Sequence, residues 1–124
     1  HSAGLPYADD GFYATEKAER AMDILPSKKA KETQLHPLVK THAETKKKCL
    51  FINPVYTVAI DNYSEEESFL LLSSLYEHMT QDKYVYRHKW SKDMLLMWDN
   101  RTVVHAADGG YDGYERLMHR ITVN

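Results

Sequence analysis

The sequence predicts a mainly β domain with one long packed helix, and three observations predict it. Short apolar or alternating runs recur at 38–41, 49–52, 56–60, 84–90 and 94–98, which is strand length and strand patterning. Turn chemistry separates them: Asn53-Pro54, Asp61-Asn62, Ser91-Lys92-Asp93 and the Gly/Asp-rich 107–113. One run alone, beginning at Ser64, combines a helix start with helical periodicity. Seven or eight short strands and one good helix in 124 residues suggest a barrel or sandwich.

Taken in order, residues 1–35 read as helix and loop. Gly4-Leu5-Pro6 and Asp9-Asp10-Gly11 are turns. Thr15 to Ile24 has helical spacing, with Thr15 as N-cap and Glu16 and Glu19 near the positive end of the dipole. Pro26-Ser27 ends it, and Lys28 to Glu32 is a charged, solvated connection. From Leu35 the texture becomes β. Leu38 to Thr41 is extended, Ala43 to Lys46 is a polar turn, and Cys49 to Ile52 returns apolar on both faces as a buried strand. Tyr56 to Ile60 is a third strand-like run.

Ser64-Glu65-Glu66-Glu67 places an N-cap serine before three acids, with a glutamate at the capping-box position. Phe69, Leu70, Leu72, Leu75 and Tyr76 then form an apolar face, so a packing helix is expected over 65–80. His78 falls in its last turn, where a cation favours the dipole, and reads as a cap. Tyr84 to Trp90 alternates aromatic or apolar with basic residues, the period of a half-buried strand, and 94–98 is a buried strand.

Composition excludes several classes. The chain is 43% hydrophobic and 27% charged with a formal charge of −2, which gives no electrostatic reason to expect nucleic acid or an anionic membrane. No apolar run approaches a membrane span and no signal peptide opens the sequence. A lone cysteine, Cys49, makes a cytoplasmic protein the easier reading.

The chemistry concentrates at 97–120. Two β-type runs flank the loop 107–113; the first carries His105 and the second carries Arg116 and Arg120. In a strand Arg116, Met118 and Arg120 share a face. On a covered face, two guanidiniums are clamps for carboxylates, and a histidine across the hairpin is a metal ligand beside them. On an open face they are a solvated pair, and pattern alone favours that.

Trp98-Asp99-Asn100-Arg101, then His105, then Arg116 and Arg120, resembles the C-terminal motif of the TauD/TfdA (taurine dioxygenase-like) Fe(II)- and 2-oxoglutarate-dependent oxygenases. His36-Pro37-Leu38-Val39-Lys40-Thr41-His42, Cys49-Leu50-Phe51-Ile52-Asn53 and Tyr84-Val85-Tyr86-Arg87-His88-Lys89-Trp90 extend the resemblance, in order, over residues 36–124. It implies that 1–124 is the C-terminal portion of one catalytic domain, with 36–124 forming strands and the helix of a double-stranded β-helix (jelly-roll, cupin-like) core.

The resemblance assigns His105 as the distal iron ligand, Arg116 as the clamp on the distal carboxylate of 2-oxoglutarate, and Arg120 as the group that positions an acidic substrate. Trp98 matches the tryptophan near the metal pocket. The implied reaction hydroxylates a small sulfonate or carboxylate with O2, giving succinate and CO2. The other two ligands of such a centre come from an upstream His-x-Asp or His-x-Glu pair, a form taken here only by His42-Ala43-Glu44. That pair falls at the turn after the His-Pro-Leu-Val strand, and only 104 residues precede His105, so His42 is expected in a turn and the upstream ligands outside the sequence. Three readings stay open: an oxygenase represented by part of its chain, one subunit of a two-chain enzyme, and a non-catalytic β-helix module. A homo-oligomer is the expected assembly.

Overall fold

The computed structural model describes residues 1, 4–15, 24–110 and 112–123. At the start, a 3-10 turn at Leu5–Tyr7 leads into helix α1, Phe12–Thr15. Thr15 closes that turn by donating its hydroxyl to the Phe12 carbonyl at 3.2 Å. Most of the helix expected over Thr15 to Ile24 lies outside the described residues. Ser27 then caps a 3-10 turn at Lys28–Lys31 by accepting from the Lys29 N–H. The lysines expected to be a plain solvated connection are partly engaged: Lys31 pairs with Asp10 at 2.7 Å and Asp9 at 3.5 Å, and Ala30 beneath them is buried.

The sheet is a single hairpin. Strands β1, Val39–Thr41, and β2, Lys48–Leu50, pair antiparallel with Val39 opposite Leu50 and Thr41 opposite Lys48. The Phe51 N–H extends the pairing to the Leu38 carbonyl at 2.8 Å. The polar turn expected between them is present, with His42 and Lys47 bonded across it and Lys46 in the left-handed region at φ 58°. Asn62 at φ 63° and Asp93 at φ 59° mark two further reversals.

The other expected strands require correction: among the described residues only β1 and β2 form a ladder, where seven or eight strands were expected. The run 56–60 is held instead by side chains. The Asn53 N–H donates to the Thr57 hydroxyl at 2.9 Å, and the Ile60 N–H donates to the buried Ser68 hydroxyl at 3.1 Å. The physical reason is that strand patterning records which faces are to be buried, whereas a strand exists only when a second strand satisfies its backbone. The runs at 84–90, 94–98 and 115–120 carry the pattern without that partner.

Helix α2, Glu65–Met79, is the long element and matches its expected span closely. Its capping box is complete: Glu67 N–H donates to Ser64 Oγ at 3.2 Å, and Ser64 N–H donates to Glu67 Oε2 at 2.8 Å. At the other end the Thr80 N–H and hydroxyl both reach the Tyr76 carbonyl, and the His78 ring packs on Tyr84 at 5.1 Å. The helix buries Leu72 and Ser68 but leaves Phe69 at 68% and Leu70 at 61% exposed. No helix among the described residues is long and apolar enough to cross a membrane.

The cap and the exposed apolar surface each make a testable demand. Ser64→Ala is expected to cost the helix about 1 kcal/mol, read as earlier amide exchange across 65–68. The bond from Ser64 holds the Glu67 carboxyl below the ordinary glutamate value of 4.5. Because the folded value is depressed, this stabilisation is full above 4.5 and fades as the pH falls below it. Separately, Leu95, Leu117, Ile121 and Val123 are all at least 79% exposed, so the 124-residue chain by itself is expected to bind a hydrophobic dye and melt over a broad range. A sharp monomeric two-state melt would contradict this.

Candidate active site

The structure brings together two of the four residues expected in the site. Asp99 starts a tight turn in which its own carbonyl accepts from the Thr102 and Val103 N–H groups, each at 3.1 Å. Its carboxylate Oδ1 accepts from the Arg101 N–H at 2.9 Å, an Asx turn that tightens the reversal. The chain leaving this turn carries His105 back over Trp98, and their ring centroids lie 4.9 Å apart at 54°. The Trp98 indole N–H donates to Asn100 Oδ1 at 2.7 Å, which fixes the ring's orientation. His105 is exposed on its outer side.

Arg116 and Arg120 lie on the exposed segment 112–123, which forms no ladder among the described residues. Strand alternation would place both guanidiniums on one face. The ladder that would define that face is not formed at 115–120 among the described residues.

The cluster that is assembled joins residues of two quoted motifs whose meeting the sequence does not show. His42 sits in the hairpin turn, as expected, yet its side chain is only 12% exposed because it reaches across to the Trp98-Asp99-Asn100-Arg101 turn. His42 Nε2 lies 2.9 Å from Asp99 Oδ2 and 3.2 Å from Glu44 Oε2. Thr45 supplies both its N–H, at 3.1 Å, and its hydroxyl, at 2.9 Å, to Nδ1. Since Nδ1 accepts an N–H, the neutral ring must carry its proton on Nε2 and donate it to Asp99. Arg101 closes the cluster: its Nη2 reaches Asp99 Oδ2 at 2.6 Å, its Nε reaches Oδ1 at 2.9 Å, and its Nη1 reaches Glu44 Oε1 at 3.1 Å.

The spacing that produced a false metal pair therefore has another use. His42 and Glu44 stand two residues apart on one turn, and both grip the same distant turn. The bonds from Arg101, followed by those from His42, hold the Asp99 carboxyl far below the ordinary carboxylate range. Arg101 does the same to Glu44, to a smaller extent. Glu44 and Arg101 are well exposed, so each ion pair taken singly is weak, and the network's worth lies in geometry.

A second feature without a sequence signal is a cavity of about 160 Å³ beneath the hairpin, lined among others by His1, His36, Phe51, Thr57 and Asp61. His1 stacks on Phe51 at 5.2 Å and bonds the Phe51 carbonyl through Nε2 at 3.1 Å. His1 and His36 are far apart in sequence, so only the fold could join them.

Removing Arg101 as Arg101→Ala is expected to raise the titration of Asp99 and of Glu44 toward their ordinary values of 3.8 and 4.5, as read from side-chain carboxyl carbon shifts. Both folded values are depressed, so the cluster's contribution is present above those pH values and is lost on acidification below them. Unmoved carboxyl titrations would mean that Arg101 does not hold the cluster in solution.

Comparison with known proteins places the chain in a family. The chain is 46% identical over 69 residues to an alpha-ketoglutarate-dependent 2,4-dichlorophenoxyacetate dioxygenase of Burkholderia sp. (strain RASC), covering 56% of this chain and 23% of the relative. It is 36% identical over 93 residues to a putative alpha-ketoglutarate-dependent sulfonate dioxygenase of Schizosaccharomyces pombe, covering 74% of this chain and 23% of the relative. An alkylsulfatase of Acinetobacter baylyi is 33% identical over 108 residues, covering 87% of this chain and 33% of the relative. The chain thus spans about a quarter to a third of the length of these curated relatives. No solved structure matches it. The model of the taurine catabolism dioxygenase TauD, TfdA family matches residues 3–122, nearly the whole sequence, and the chain belongs to that family.

Proposed function

We propose that residues 1–124 are the C-terminal portion of a catalytic domain of this family, and that the intact protein is an Fe(II)- and 2-oxoglutarate-dependent dioxygenase. Its substrate is a small organic acid, a sulfonate or carboxylate, which it hydroxylates with O2 to give succinate and CO2 as co-products. The observation that carries this reading is the family match over residues 3–122, with His105, Arg116 and Arg120 in their expected order within it. Relatives named for a phenoxyacetate and for sulfonates support an anionic substrate.

The donors present suit the proposed metal in part. His105 offers an exposed imidazole backed by the Trp98 indole, a suitable single ligand. No group of three His, Cys, Asp or Glu that could hold a metal occurs among the described residues. Both nitrogens of His42 are engaged, by Thr45 and by Asp99. Among the described residues the chain fits iron as the donor of one ligand, His105, and on this proposal the other two come from the upstream part of the domain. When bound, iron with 2-oxoglutarate supplies the oxidising chemistry, one oxygen atom entering succinate and the other the product.

The rest falls to the protein. Arg116 grips the distal carboxylate of 2-oxoglutarate with its planar fork, which also sets the orientation of the cosubstrate. Arg120, two strand repeats farther along from His105, takes the anionic group of the substrate and so fixes which carbon faces the oxidant. Trp98 forms an apolar wall beside His105 and excludes water from one side of it. The unpaired β-patterned runs meet the upstream strands of the same domain, completing a double-stranded β-helix in which Arg116 and Arg120 come to share a covered face. The exposed apolar side chains at 94–98 and 117–123 support that docking, since isolated in water they have no packing partner to justify their composition.

The two arginines give the test, in the intact protein. Arg116→Gln is expected to weaken 2-oxoglutarate about thirtyfold or more, whatever the substrate. Arg120→Gln is expected to raise the substrate KM and leave 2-oxoglutarate affinity within a few fold. Titration of the visible charge-transfer band of the anaerobic Fe(II) complex measures the first effect. If the two variants exchange behaviours, the roles are reversed; if neither ligand responds to either change, the oxygenase reading fails.

A further inference from the structure

The metal pair that the sequence mimicked at His42 and Glu44 is engaged with a turn that leads directly to the proposed ligand. We propose that His42, Asp99 and Arg101 are positioning residues for His105, setting the placement of its ring against Trp98; this rests on the reading of His105 as the iron ligand.

Two turns distant in sequence meet here. His42 Nε2 and Arg101 Nη2 converge on Asp99 Oδ2 at 2.9 and 2.6 Å, while Arg101 Nε and the Arg101 backbone N–H take Oδ1, each at 2.9 Å. One carboxylate thus receives four donors from three directions. The same residue's carbonyl accepts from Thr102 and Val103. Backbone rotation at Asp99 would break bonds on both its side chain and its main chain. Trp98 precedes this fixed point and His105 lies beyond it, so their 4.9 Å ring contact spans the reversal.

His42 anchors the reversal to the hairpin. Its Nδ1 is held by Thr45, and the hairpin is held by the β1–β2 ladder. Position is therefore passed from a paired sheet, through one imidazole in a defined tautomer, to the Asp99 turn and then to His105. A histidine ligand needs its ring held within a few tenths of an ångström, and such supports commonly govern metal affinity tenfold or more.

The test uses the intact protein labelled with 5-fluorotryptophan, with the Trp98 signal assigned by Trp98→Phe and Trp90 serving as an internal control. His105→Ala is expected to shift the Trp98 fluorine resonance and to abolish Co(II) binding at the site. Asp99→Ala and His42→Ala are expected to shift the Trp98 resonance likewise, leave Trp90 in place and weaken Co(II) about tenfold. His42→Gln retains a donor toward Asp99 and is expected to restore both readings to within about threefold of the parent affinity. Should Asp99→Ala also displace Trp90, the milder Arg101→Lys, which keeps the charge and loses the fork, decides on the same two readings. An unchanged Trp98 resonance and Co(II) affinity in these variants overturns the positioning role while leaving His105 as ligand. Co(II) binding that survives His105→Ala overturns the ligand reading itself, and the positioning role with it.

Discussion

The hydrogen-bonded contact between His42 and Asp99 is the constraint on which the functional half of the chain depends. It spans 57 residues and joins the β1–β2 hairpin to a stretch that, among the described residues, has no ladder of its own. Beside it, Arg101 reaches Glu44 of the same hairpin turn at 3.1 Å, so two residues of that turn hold the Asp99 reversal. The contact is specific because histidine can do two things at once: Nδ1 is satisfied locally by Thr45, leaving Nε2–H as a single donor aimed outward. Arg101 then completes the carboxylate with a planar fork, a geometry that an ammonium could not reproduce.

What was legible in the sequence was whatever is stabilised locally. Helix α2 was readable because its capping box, its acidic first turn and its apolar face all lie within 64–79, and each is encoded locally. The hairpin turn after Thr41 was readable for the same reason. The strands after residue 80 were not realised, because alternation specifies burial and leaves the identity of the pairing partner open. The run at 56–60 shows how such a segment settles otherwise, tied by Thr57 and Ser68 hydroxyls in place of a neighbouring strand.

The candidate site divides along the same line. Trp98 and His105 met because a short Asx-type turn joins them, a local event encoded by Asp99-Asn100-Arg101. Arg116 and Arg120 depend on a sheet face, a long-range object that the alternation at 115–120 does not by itself supply. The His42 cluster is the opposite case: its place in a turn was legible and its partners were not. A His-x-Glu spacing is chemically suited to metal, and the spacing alone does not distinguish it from a pair that reaches another turn. Its place at the turn after the 38–41 run already argued against a metal pair, and the Asp99 and Arg101 partners, more than fifty positions downstream, show what the pair does instead.

The three left-handed residues, Lys46, Asn62 and Asp93, limit how the sequence can drift. Each has φ close to +60° at an exposed chain reversal. Asparagine and aspartate tolerate that conformation, and glycine prefers it, whereas valine, isoleucine and threonine are strongly disfavoured there. Exposure ordinarily grants a position wide freedom of replacement, because nothing packs against it. At these three places the backbone withdraws that freedom, so the surface of the molecule holds some of its least replaceable sites. Lys46 is the most telling of them, since it closes the turn from which His42 reaches Asp99.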